Sequence, residues 1–165
     1  MPSNVRQRTD DAKRRQHHRH VNILVLVIED ERADIAIVRE SLADTSAGSA
    51  QIAYATSLAE GVQRLAAGGI DIVLLDLSLP DSDGDATLAR VRAVDPEIPI
   101  LVIAGTSRED GPPAGALAAN QFILKDHVEC HRLGDIVRDV IRKARHGHAQ
   151  DHAAALRLAV APTSP

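Results

Sequence analysis

The sequence predicts an α/β domain: a doubly wound, five-stranded parallel sheet with helices on both faces. Three observations lead there. Short apolar runs alternate with segments of helical period along most of the chain. Most of those runs are continuous rather than alternating, the pattern of strands buried on both faces. Aromatic residues make up only 1% of the 165 residues, so the core has to be aliphatic.

The elements follow in order. "NILVLVI" (22–28) is β-branched and short, a central strand. "ERADIAIVRESLA" follows with Ile35, Val38 and Leu42 on one helical stripe. "AQIAYAT" (50–56) is weaker and alternating, as an edge strand is. "SLAEGVQRLAAGG" opens with the capping-box pair Ser57 and Glu60 and closes on Gly68-Gly69. "IDIVLLD" is the third strand, and Leu88, Val91 and Val94 mark a helix stopped by Asp95-Pro96. "IPILVIAG" (98–105) and "QFILK" (121–125) are the fourth and fifth strands. Leu133, Ile136, Val137, Val140 and Ile141 form the stripe of a last helix. Strands alternating with helices specify a parallel sheet. A weak second strand at one edge suits the flavodoxin-like order 2-1-3-4-5.

Outside this region the chain changes character. Residues 1–20 hold six Lys/Arg and two Asp, a net of +4, against 13 basic and 21 acidic groups, a net of −8, in the remainder. With almost nothing apolar to bury, residues 1–21 read as a disordered basic arm. Its histidines, His17, His18 and His20, lack the fixed geometry of a metal site. Residues 22–147 form the domain, and the Ala-rich 148–165 reads as a partly disordered tail with a short helix. No apolar run reaches the roughly 18–20 residues of a membrane span, so no membrane partner is expected. The lone Cys130 makes no internal disulfide, and the N-terminus lacks a signal-peptide apolar region, so the reading is cytoplasmic. Few aromatics also argue against single-stranded nucleic acid as a partner.

Ligands of such sheets bind beyond the carboxyl ends of the strands, where the strand order reverses. Asp76 ends the third strand there, and "VIEDE" brings Glu29 and Asp30 to the neighbouring strand end. Singly, these acids could be a loop residue, a helix cap and a first-turn acid. Together they repel, by about 4 kcal/mol per pair at 4 Å and an effective dielectric of 20. A hard divalent cation with oxygen ligands, Mg²⁺, resolves that conflict. Lys125, ending the fifth strand, is placed to meet an anion beside the metal. Carboxylates, Mg²⁺ and a lysine suit phosphoryl transfer, with Asp76 as the nucleophile.

From about Asn22 to Gly147 the sequence resembles the receiver domains of two-component response regulators. The matching residues are "VIEDE" (Glu29, Asp30), "LLDLSLPDSDG" (Asp76) and "FILK" (Lys125). The resemblance implies phosphorylation of Asp76 with Lys125 assisting, and Mg²⁺ held by Glu29, Asp30, Asp76 and the backbone carbonyl of Ser78. It also places Phe122 at the family's switch aromatic. The implied donor is a phosphohistidine on a histidine kinase or histidine phosphotransfer protein. Output would pass to an unidentified protein by contact, with no enzymatic domain following and no chemistry beyond the domain's own phosphorylation and dephosphorylation. A homodimer is left open.

Two places depart from the family pattern. The fourth strand ends at Ala104 where the family has Thr or Ser, with Thr106 two residues on as the nearest hydroxyl. The segment "EDGPPAGALAAN" carries Pro112-Pro113 between glycines and permits a short helix at best. Both bear on switching, so a pseudo-receiver that signals without phosphate is the alternative. A nucleotide or flavin enzyme on this fold is disfavoured, because "VIEDERAD" lacks glycine and its acids would repel phosphate.

Overall fold

A computed structural model describes residues 23–43, 50–105, 119–125 and 133–159, with side chains described as far as residue 147. The N-terminal arm, Thr106, Pro112-Pro113 and Cys130 therefore lie outside the described residues.

Five strands form one parallel sheet: β1 (Ile23–Ile28), β2 (Ala50–Ala55), β3 (Ile72–Leu75), β4 (Ile100–Ala104) and β5 (Gln121–Leu124). Their order is β2-β1-β3-β4-β5, the flavodoxin-like order expected from the sequence. The helices among the described residues are α1 (Arg32–Ala43), α2 (Leu58–Ala66), α3 (Gly84–Val94) and α4 (Leu133–Ala159).

Each face of the sheet has its own aliphatic layer. Val25, Val27, Ile72, Leu74, Leu101 and Ile103 meet α1 and α4 through Val38, Leu42, Leu133, Val137, Val140 and Ile141. The alternate residues Leu26, Ile28, Val73, Leu75, Ile100 and Val102 meet α2 and α3 through Leu58, Leu65, Leu88 and Val91. Period-2 alternation of side chains thus sends successive residues of one apolar run into opposite layers. Ile72-Val73-Leu74-Leu75 is buried throughout. Each such side chain contributes about 1.5–3 kcal/mol by leaving water. A slip of one residue would exchange the layers and drive the Asp76 carboxylate into the aliphatic layer that Leu75 occupies. Core burial on both faces therefore determines where Asp76 emerges.

Helix ends follow local chemistry. Ser57 Oγ accepts from Glu60 N–H at 3.3 Å, and Glu60 returns a bond to the N–H of Thr56 at 3.1 Å, one residue before the usual capping-box target. Gly68 and Gly69 turn the chain out of α2 with φ of +81° and +82°. Val94, expected on the buried stripe of α3, is 36% exposed at the helix end.

The last helix also differs from expectation. Where a separate short helix is expected in the tail beyond Gly147, one helix runs unbroken from Leu133 to Ala159. A glycine costs a helix only about 1 kcal/mol relative to alanine, and the Ala-rich sequence beyond it has high helix propensity.

Candidate functional site

Strand register brings the acids to one level. Ile28 is paired with Leu75, and Leu75 with Val102. Glu29 and Asp76, the next residues of their chains, therefore leave the sheet side by side. Asp76 N–H donates to the carbonyl of Ile28 at 3.0 Å, tying the two strand ends together. One carboxylate oxygen from each of Glu29, Asp30 and Asp76 lies within 4.8 Å of the others. Glu29 and Asp76 are buried, at 4% and 6% exposure, while Asp30 faces solvent.

Lys125 enters from the end of β5. Its Nζ stands 3.1 Å from Asp76 Oδ2 and 2.9 Å from Glu29 Oε2. It also stands 2.5 Å from Asp34 Oδ2 on the first turn of α1. Glu29 Oε1 accepts from the N–H of Glu31 at 3.1 Å, and Asp76 Oδ1 from the N–H of Ser78 at 3.2 Å.

One ammonium cannot balance this many carboxylates. Burial pushes the Glu29 carboxyl up to about 7, and the charge of Asp76 adds to the rise against the opposing pull of Lys125. Burial by itself would lower the Lys125 ammonium, but hydrogen bonds to Asp34 and Glu29 outweigh it and hold the group well above its ordinary value. Lys125 stays charged.

The loop after Asp76 is tied down on three sides. Ser78–Leu79 and Ser82–Asp83 form a two-residue antiparallel ribbon. Gly84, at φ +54°, donates its N–H to Leu77 O at 2.8 Å, and the buried Thr87 hydroxyl bonds Ser82 Oγ at 2.9 Å. Asp81 spans to α2, its two oxygens accepting from the N–H groups of Leu58 and Ala59 at 2.8 and 2.9 Å.

Ser78, proposed from its carbonyl, is exposed at the start of the ribbon. Ala104 and Phe122 are half-buried against the α2/α3 layer. Leu124 pairs with Ala104, which sets Lys125 one step beyond it. The methyl of Ala104 offers no hydrogen bond, and Thr106 is outside the described residues. Two residues escaped the sequence reading. Asp34 resembles an ordinary first-turn helix acid, and Asp81 an ordinary loop acid. Their partners lie 91 and 22–23 residues away.

Comparison with known proteins decides the family. The response regulator receiver domain profile matches residues 25–138. The chain belongs to that family. Solved structures of receiver domains agree in fold. The signal receiver domain of an HD domain-containing protein from Pseudomonas fluorescens Pf-5 superposes with a TM-score of 0.64 at 16% identity, covering 78% of this chain and 93% of that one. A chain from the complex of histidine kinase ThkA with response regulator protein TrrA gives 0.61 at 19%, covering 72% and 97%. At these identities the likeness is one of fold. Among curated relatives, the swarming motility regulation protein RssB of Serratia marcescens is 30% identical over 102 residues, 61% of this chain and 45% of RssB. The chain spans less than half the length of the first such relatives it matches. Among the described residues, no helix of this receiver domain is long and apolar enough to cross a membrane.

Proposed function

We propose that this receiver accepts a phosphoryl group from a phosphohistidine onto Asp76, with Mg²⁺, and signals by protein–protein contact. The observation that carries the reading is the position of Asp76: its carboxylate lies within 4.8 Å of two others and 3.1 Å from an ammonium. The donor set of the three acids is oxygen only, with no Cys or His, which suits a small hard cation. Glu29, Asp30, Asp76 and the Ser78 carbonyl would hold Mg²⁺, which when bound supplies positive charge against the phosphoryl oxygens.

The chain's own residues do the rest. The bond between phosphorus and the imidazole nitrogen breaks with its electron pair returning to the ring, as an Asp76 oxygen forms the new bond to phosphorus. Lys125 meets the transferred charge. The tied loop 77–84 and the Ser78 N–H keep the Asp76 carboxylate oriented, so little reorganisation is needed. A histidine kinase or histidine phosphotransfer protein is the expected donor, and a kinase complex among the structural neighbours accords with that.

A second reading is favoured by one observation, the methyl side chain of Ala104 at the end of β4. Without a hydroxyl there, the domain could serve as an interaction module that signals without phosphate. Phosphoramidate, which has the P–N bond of phosphohistidine, separates the two readings. With Mg²⁺ it should leave one base-labile phosphate on the protein. EDTA should abolish the labelling, and Asp30→Asn should raise the Mg²⁺ concentration needed. Absence of labelling beside a competent control receiver would favour the interaction module.

A further inference from the structure

Asp34 is not one of the three mutually close carboxylates, yet it makes the shortest contact to Lys125. An acid in the first turn of a helix needs no special explanation, since it complements the helix dipole. Asp34 does more than that. Its carboxylate reaches a lysine 91 residues away, and both side chains are largely shielded, at 24% and 22% exposure.

The donor count gives the contact its meaning. A lysine ammonium has three N–H donors and no acceptor. Glu29, Asp34 and Asp76 stand at 2.9, 2.5 and 3.1 Å, so all three donors are engaged. The longest of the three contacts is the one to Asp76. A phosphoryl group arriving there adds anionic oxygens that also need Lys125, and Asp34 already holds one donor on the α1 side. Resting on the reading of Asp76 as phosphoacceptor, we infer that Asp34 is a positioning residue. It holds the Lys125 ammonium back toward α1 and so limits how strongly Lys125 assists phosphorylation.

The test uses the full chain loaded with Mg²⁺. In the reaction with acetyl phosphate, an Asp76 oxygen bonds to phosphorus and acetate leaves with the electron pair of the broken P–O bond. Asp34→Asn should raise the initial rate by about three- to tenfold, below the roughly ten- to hundredfold of a whole charge-assisted hydrogen bond because Lys125 is redirected and not removed. In a Lys125→Ala background the same substitution should change the rate by no more than about twofold, because the coupling runs through the lysine. Mg²⁺ affinity should stay within about twofold, because the Asp34 carboxylate is not in the metal-binding group. A second readout does not require phosphorylation. The chain has three lysines, so the ¹⁵N-ammonium signal of Lys125 can be assigned by Lys125→Arg. That signal should be resolved in the wild type and fall among those of solvated lysines in Asp34→Asn.

An unchanged or slower rate in Asp34→Asn, or an acceleration that persists without Lys125, overturns the inference. So does an ammonium signal unaffected by Asp34→Asn. A wild type that takes no phosphate overturns the phosphoacceptor reading, and the ammonium signal then still decides whether Asp34 holds the lysine.

Discussion

Gly61 of α2 lies against Ile28, the last residue of β1, with no room for a methyl group between them. A Cβ at Gly61 would stand 2.4 Å from Ile28 Cδ1 and 2.9 Å from Cγ1. Ile28 is fully buried, so it has little freedom to give way, and it is followed directly by Glu29. Gly61→Ala should gain about 1 kcal/mol of helix propensity but lose about 1–3 kcal/mol to overpacking. The expected result is a lower urea midpoint with an unchanged slope. Ile28→Val, which removes Cδ1, should recover part of the loss. A Gly61→Ala protein more stable than the wild type would show that helix and strand can move apart freely.

The raised Glu29 carboxyl makes stability pH-dependent in a particular direction. Its folded value, about 7, lies above the ordinary 4.5, so the native state binds the extra proton. That contribution is fully present below about 4.5 and is lost as pH rises through about 7. Metal-free protein should therefore lose melting temperature across this window. Glu29→Gln should flatten the loss, and Mg²⁺ should offset it by binding the native state. A melting temperature that rises steadily from pH 5 to pH 7.5 in metal-free wild type, with the same slope in Glu29→Gln, would contradict the assignment.

Asp81 should behave oppositely. Its hydrogen bonds from Leu58 and Ala59 hold its carboxyl below the ordinary 3.8. Its contribution is present above that value and disappears as pH falls through the folded one. Asp81→Ala should lower the melting temperature at pH 7, and the deficit should shrink in strong acid. Hydrogen exchange should quicken at Leu58 and Ala59 before it does in β3. Unchanged exchange there would mean that the loop does not hold α2.

Much of this architecture was legible in the sequence. The runs at β1, β3 and β4 are continuous because both faces are covered, and that pattern places their ends. With the strand order, the ends predict the meeting of Glu29, Asp30, Asp76 and Lys125. The contacts of Asp34 and Asp81 were not legible, because each depends on a partner in another element and leaves no local period or spacing. Ser57 and Glu60 advertised the start of α2, while Asp81 supplied two of its N–H acceptors from the loop after β3. The length of α4 was obscured by Gly147, a break signal that the surrounding helix propensity overrides.

Ala104 carries the prediction about switching. A hydrogen bond to a charged oxygen contributes roughly 1.5–3 kcal/mol, or about ten- to hundredfold in a two-state equilibrium. Beryllofluoride bound at Asp76 should therefore cause only a small hydrogen-exchange change in the wild type. Ala104→Thr should enlarge that change while leaving the Asp76 reaction largely intact. A large change already present in the wild type, and unaffected by Ala104→Thr, would assign the switching role to another group, Thr106 being nearest in sequence.

Phosphorylation of Asp76 is tested most simply by the intact mass after incubation with acetyl phosphate and Mg²⁺. Reduction of the acyl phosphate with borohydride and peptide mapping then locate the modified residue. The expected result is a gain of one phosphate, mapped to Asp76 and absent from Asp76→Asn. An unmodified wild type beside a labelled control receiver, or a phosphate that persists in Asp76→Asn, would contradict it.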